Sequence, residues 1–288
     1  MLRSVHSNLK AAVRDLQHRA PVLVLTTVLS LALFGVAAIG LLIDPRELLG
    51  APIWLKPLKF GLSGAVYLGA LAWMVRDLPT SRVTRIAAST IGWLIVGETA
   101  LVLIQAARGR QSHFNIDTPL DGAIFSAMGM GIAVVWLLSM VILVQHVRSP
   151  ARDKAMATAF RIGLALNIVG AAVGWKMVQP QPAQIAAITQ GTHPFRVGSH
   201  TVGATDGGRG LPFTNWSQTN GDLRIPHFIG LHALQLLPLL VLLLRTMRRR
   251  RDDAIERNLL TLTAGACAAT FVIALWQALD GQPLLPPS

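Results

Sequence analysis

Hydrophobic residues fall into seven blocks, near 22–43, 60–75, 86–107, 122–145, 160–178, 226–244 and 258–278. Most reach about 20 residues, the length a helix rising 1.5 Å per residue needs to cross a bilayer core. The second block is short, and residues 54–58 extend it. Ahead of the first block, Leu2, Val5, Leu9, Val13 and Leu16 recur at helical spacing, with Arg3, Lys10, Arg14 and Arg19 between them. This predicts an amphipathic helix over 1–21 lying on the membrane surface. The 22–43 run is too long for the apolar stretch of a signal peptide. The expected fold class is all-α: a polytopic membrane protein with seven transmembrane helices forming one domain over 22–288.

Charge sets the expected orientation. The chain carries a net charge of +12, yet only 14% of its residues are charged. Seventeen of the 26 basic residues flank one set of span ends. They include Arg76, Arg82, Arg85, Arg148, Arg152, Lys154, Arg161, Arg245, Arg257 and the arginine run at 248–251. Basic residues concentrate on the cytoplasmic side, so the N-terminus is expected inside and the C-terminus outside. This placement makes the basic charge a topology anchor and argues against nucleic acid as a partner; the expected partner is the lipid bilayer. Cys267 is the single cysteine, so an intrachain disulfide and CxxC metal sites are excluded.

An internal repeat is visible. LAL at 31–33 leads to AAIG at 37–40 and Pro45; LAL at 164–166 leads to AAVG at 171–174 and Pro180. Lys59-Phe60 opens the second span and His227-Phe228 the sixth. LIQAARG at 103–109 closes the third span and LWQALDG at 275–281 the seventh. Spans 1–3 thus match spans 5–7 in a parallel 3+1+3 repeat. It would set Gln105 and Gln277 at equivalent depths, and Lys59 opposite His227. A ligand site is expected where the two halves meet.

The candidate chemistry lies toward the outer side. Glu98 is nine residues inside the end of the third span, about 13 Å deep. A carboxylate there must face the bundle and find a partner or a proton. Gln105 shares its face, and Arg108 continues near it. His232 lies a similar distance into the sixth span, with Gln235 on its face, and Asn167 sits in the middle of the fifth. Glu98 and His232 are the expected catalytic pair. His232, with His227 or His113, is the expected ligand set for a metal ion or haem b. His227 and His232 are five apart and cannot chelate one ion as an i,i+4 pair would. Lys59, Gln105, Arg108, Arg110, Asn167, Gln235 and Gln277 are candidate ligand-binding residues. Arg108 and Arg110 fit an anionic ligand, or ion pairs to Asp117, Asp121 or Asp222. Lys56 and Lys59 fit snorkelling to the interface beside Trp54. Segment 179–225, rich in glycine and proline, is expected to close over the outer mouth as a lid. His193 and His200 within it are further candidate ligands, and Asp206-Gly-Gly-Arg-Gly210 a candidate anion-holding turn.

Three runs carry a resemblance: WLKPLKFGLS at 54–63, QAARGRQSHFN at 105–115 and GDLRIPHFIGLHALQ at 221–235. They resemble those of a group of bacterial multispanning inner-membrane proteins, over essentially the whole chain. The resemblance implies a bacterial inner membrane and no mechanism. By helix count and orientation the chain also resembles seven-helix metal-dependent membrane hydrolases, but it has no closing HxxxH pair. Three functions fit these observations. One is a metal- or haem-binding membrane enzyme or redox protein acting on a small molecule at the outer face. The second is a proton-coupled transporter of a small solute. The third is a membrane sensor or assembly partner.

Overall fold

The computed structural model describes residues 14–79, 81–192, 194–247 and 253–285. Most of the predicted 1–21 helix and the 248–251 arginines lie outside the described residues. Seven helices are long and apolar enough to cross a membrane. They are α1 (Pro21–Ile43), α2 (Leu55–Arg76), α3 (Arg82–Ala107), α4 (Pro119–Arg148), α5 (Lys154–Met177), α7 (Arg224–Met247) and α8 (Asp253–Leu279). Each covers one predicted block to within a residue, and residues 55–58 extend the second. A short helix, α6 (Pro182–Thr189), follows α5.

Local signals explain the helix starts. Pro21 and Pro119 sit in the first turns of α1 and α4, where a missing N–H costs nothing. Ser81 Oγ accepts from Thr84 N at 3.0 Å, Thr118 Oγ1 from Asp121 N at 3.1 Å and Asp153 Oδ1 from Met156 N at 3.1 Å. Each satisfies an amide that has no partner within its helix.

The helix surfaces are inside-out relative to a water-soluble protein. Leu42, Met130, Leu262, Val272 and Trp276 are all more than 60% exposed. Such an apolar periphery is stable only against lipid. The helices pack as two trios: α1 against α2 and α3, with α2 on α3, and α5 against α7 and α8, with α7 on α8. Helix α4 joins them by packing on α3 and α5, and α2 touches α7.

Close packing falls where small residues allow it. A Cβ on Gly170 would lie 2.6 Å from Gly230 Cα, and one on Gly163 2.9 Å from Ala233 O. Helices α5 and α7 therefore touch backbone to backbone, as small residues permit in membranes. Gly174 and Gly265, by contrast, meet open space.

Toward the arginine-rich end, Leu71, Met74, Ile91, Ile142, Phe160, Leu164, Leu234 and Leu237 form a closed apolar core. Arg245 clamps this end. It donates to Asp153 at 2.5 and 3.0 Å and to Glu256 at 2.7, 3.0 and 3.1 Å, tying the ends of α5, α7 and α8 together. At the opposite, loop-rich end, β1 (Glu47–Leu48) pairs with β2 (Ala51–Pro52), and β3 (Thr201–Val202) with β4 (Gly221–Asp222), both antiparallel.

Candidate functional site

A cavity of about 780 Å³ occupies the loop-rich half of the molecule. Residues of α2, α3, α4, α5 and α7 wall it, together with the α3–α4 loop and the segment before α7. It ends on Tyr67, Ser139, Trp136 and Gln235. There Tyr67 Oη and Ser139 Oγ are hydrogen-bonded at 2.9 Å, and Trp136 Nε1 donates to Ile168 O at 2.9 Å.

The polar wall is built around His113. Lys56 Nζ lies 3.1 Å from His113 Nδ1, and Ser112 Oγ 3.0 Å from the same nitrogen. An ammonium has donors only, so Nδ1 accepts and the ring proton belongs on Nε2. That nitrogen faces Glu98 Oε1 at 3.5 Å. Glu98 is 6% exposed, and its Oε1 has no hydrogen-bond partner among the described residues. Native proteins seldom leave a buried polar atom unmatched, so this oxygen marks a place for a donor. Burial, reinforced by the charge of Lys56, holds the His113 pKa well below its usual range, so the imidazole stays neutral.

The loop wall is organised by one carboxylate. Asp206 accepts from His200 N, Thr201 N, Ser199 Oγ, Thr201 Oγ1 and His200 Nδ1, the last at 2.9 Å. Burial works against its charge, but the His200 and Thr201 donors outweigh it and keep Asp206 far below the usual carboxylate range. Burial lowers the His200 pKa, and Asp206 offsets this only in part. Neutral His200 thus gives Nδ1–H to Asp206 and keeps its Nε2 lone pair. The expected anion-holding turn is replaced by this arrangement, because Asp206 gathers the donors for itself.

Segment 179–225 is bound in place by several such anchors. Asp222 accepts from Ser217 N at 2.8 Å and from Arg224 at 2.6 and 2.9 Å, and Arg224 Nη2 also donates to Asn215 O at 2.5 Å. Val197 N donates to Phe114 O, Ile116 N to Phe195 O and Ser199 N to Met177 O. Lys59 Nζ donates to Thr214 O at 3.0 Å, joining α2 to the segment.

The predicted site residues divide into two groups. Glu98, His113, His227, His232, Lys59, Asn167, Gln235 and Arg110 line the cavity. His227 Nδ1 donates to Gly170 O at 2.8 Å, leaving its Nε2 lone pair free. Turned with its nitrogen toward acceptors, the Gln235 amide reaches His232 Nδ1 at 3.2 Å, and the His232 ring packs on Phe228 at 4.2 Å between centroids. Asn167 Nδ2 donates to Leu231 O at 2.8 Å rather than to Glu98. Glu98 has His113, not His232, as its nearest ionisable neighbour.

Gln105, Arg108 and Gln277 lie off the cavity. Gln105 Nε2 and Arg108 Nη1 both donate to the buried Asp121, at 2.9 and 2.8 Å, and Arg108 also donates to Gln105 Oε1. Arg110, at the rim, is paired with Asp117 at 2.8 Å. Both arginines therefore take the ion-pair alternative. Gln277 Nε2 donates to Pro283 O beside a separate crevice next to Asp222. His193 lies outside the described residues. Among the described residues, no three His, Cys, Asp or Glu side chains converge as a metal ion requires.

Sequence reasoning passed over Ser112, read Lys56 only as a snorkelling residue, and named His200 and Asp206 without pairing them. The signal for Lys56 was present: Lys56 and Lys59 stand on the side poor in basic residues, at i,i+3 on one helix face. Snorkelling does not describe Lys56, which turns inward to His113.

Comparison of the chain with protein-family models, curated proteins and solved structures gave no match. The functional reading therefore rests on the site itself.

Proposed function

We propose that this protein is a multi-pass enzyme of the bacterial inner membrane, N-terminus cytoplasmic, that binds a hydroxylated anion in its outer half and exchanges a proton with it. The observation that carries the reading is Glu98 Oε1, buried, unpartnered and 3.5 Å from His113 Nε2. A ligand O–H pointed at that oxygen would supply the missing donor. Glu98 would take the proton, His113 Nε2–H would hold the resulting charge, and Lys56 would fix the His113 tautomer. His200 and His227 would offer acceptor nitrogens to the ligand. Segment 179–225 serves as the lid, closing the mouth with the Asp206 and Asp222 clusters. The closed apolar core beneath the cavity favours a one-sided site over a transport path. The two packed trios support the parallel 3+1+3 repeat, with the site between its halves.

The test uses protein purified from its native membrane, with bound small molecules extracted and identified by mass spectrometry. The expected result is one hydroxylated anion near stoichiometric occupancy, reduced at least about tenfold in Glu98→Ala. Ligand-free protein whose host phenotype is unchanged by Glu98→Ala and Lys56→Met would refute the proposal.

A second reading, haem b held by His227, rests on a different observation. His227 Nδ1 is fixed to Gly170 O, the tether that iron- and zinc-binding histidines use. A Soret band and stoichiometric iron in the same preparation, both lost in His227→Ala, would favour it. Their absence would remove it.

A further inference from the structure

Residues exposed on the side of the bundle also line the cavity. Helices α4 and α5 wall it with small residues: Gly129 and Ala133 on α4, Ala171 and Gly174 on α5. A Cβ on Gly129 or on Gly174 would meet nothing within 4 Å. The missing side chains thus leave a slot between the two helices. Met130 and Trp175 line the cavity and are also 66% and 49% exposed on the bundle surface. The slot ends where Trp136 donates to Ile168 O and stacks edge-on against Trp175 at 6.2 Å. It is therefore open along the loop-rich half of the α4–α5 seam and sealed below. In a membrane-spanning bundle this seam faces acyl chains, not water.

The head of the same cavity is cationic. Lys56 and Lys59 both line it, and neither forms a salt bridge among the described residues. Glu98 Oε1, buried and unpartnered, points to a ligand that also brings a donor. A phosphate monoester offers acceptor oxygens to both ammonium groups and an O–H to Glu98. The apolar slot asks for a chain attached to that head.

We propose that the ligand is a single-chain lipid phosphate, which enters sideways from the bilayer with its chain in the α4–α5 slot and its phosphate at Lys56, Lys59 and Glu98. This rests on the polar site described above and assigns its substrate class. Lateral entry explains why a cavity with a hydrogen-bonded loop segment across its mouth also has exposed apolar walls at membrane depth.

The test measures binding of dodecyl phosphate and of inorganic phosphate to the full-length protein in nanodiscs. The variants are Gly174→Leu and Ala133→Leu, which fill the slot, and Lys56→Met, which removes the head charge. Because Gly174 faces open space, its leucine variant is expected to fold, and thermal unfolding checks this. The expected result is dodecyl phosphate binding at least about 100-fold tighter than phosphate. Slot-filling should weaken dodecyl phosphate at least tenfold and leave phosphate unchanged, whereas Lys56→Met should weaken both. Dodecyl phosphate binding that the folded slot variants do not change would overturn the lateral-chain proposal and leave the polar site standing. Equal binding of the two probes would overturn it as well. Loss of neither probe in Lys56→Met would instead count against the polar site.

Discussion

Glu98 and His113 face each other across 3.5 Å, one from the middle of a transmembrane helix and the other from the loop that follows it. Lys56, on the neighbouring helix, holds the other nitrogen of the imidazole. Three separate segments thus build one proton-handling group. Glu98→Gln keeps the shape of the side chain but cannot take a proton. Turnover of the co-purified ligand should fall by about 10²–10⁴-fold, the range of a general base, with thermal stability nearly unchanged. A Glu98→Gln protein that turns over normally would remove Glu98 from the chemistry.

His113 and His200 give the protein a predictable acid sensitivity. Both are buried, with folded-state pKa values below the ordinary value, so the unfolded chain binds protons more readily. Their neutral forms contribute stability fully above pH about 6.5, and this is lost as pH falls toward their folded values. Asp206 is also depressed, but its contribution starts to fade only below pH about 4. Thermal unfolding in detergent should show a Tm that falls between pH 7 and pH 5. His200→Gln should flatten that slope, while Asp206→Asn should lower Tm at every pH in this window. A Tm independent of pH from 7 to 5 would contradict this account of the two histidines.

Gly170 and Gly174 lie one turn apart on α5 and should respond in opposite ways. The first abuts Gly230 with its backbone, and the second faces open space. Gly170→Ala forces α5 away from α7 and should cost about 1–3 kcal/mol, the range for overpacking. Gly174→Ala should be neutral or slightly stabilising, because alanine favours the helix. Comparative unfolding in mild detergent with added SDS would decide between them.

The seven spans were legible because a bilayer demands long uninterrupted apolar runs, and nothing else in the chain competes with that signal. The candidate site was legible only in part. Glu98, His227 and His232 announce themselves as polar residues inside apolar blocks. Their partners do not, because contact across helices depends on rotation and tilt that hydropathy leaves open. The pairing of Glu98 with His232 assumed that equal depth implies proximity, whereas the α3–α4 loop folds back and brings His113 closer. The pairing of His200 with Asp206 was hidden for a different reason. In a glycine-rich segment nothing in the local pattern separates a buried, multiply bonded aspartate from a solvated one.

Arg108 and Asp121 offer a test of whether a charged residue near the loop-rich end serves the ligand or the fold. Asp121 is fully buried and takes hydrogen bonds from Arg108, Gln105 and Thr118, while Arg108 is 33% exposed. The pair is therefore asymmetric. Losing Arg108 leaves a buried carboxylate without its counter-charge, but losing Asp121 leaves a guanidinium that can turn to water. Arg108→Met should cost about 3 kcal/mol, the order expected when a buried pair loses one member. Asp121→Asn should cost less, roughly 1–2 kcal/mol. The double variant should be more stable than Arg108→Met alone, because the neutral asparagine needs no counter-charge. A double-mutant cycle by thermal unfolding measures this recovery directly. Arg108 lies off the cavity, so ligand occupancy in folded Arg108→Met should equal that of the parent protein. An occupancy that drops together with the charge, at unchanged fold, would return Arg108 to the binding site.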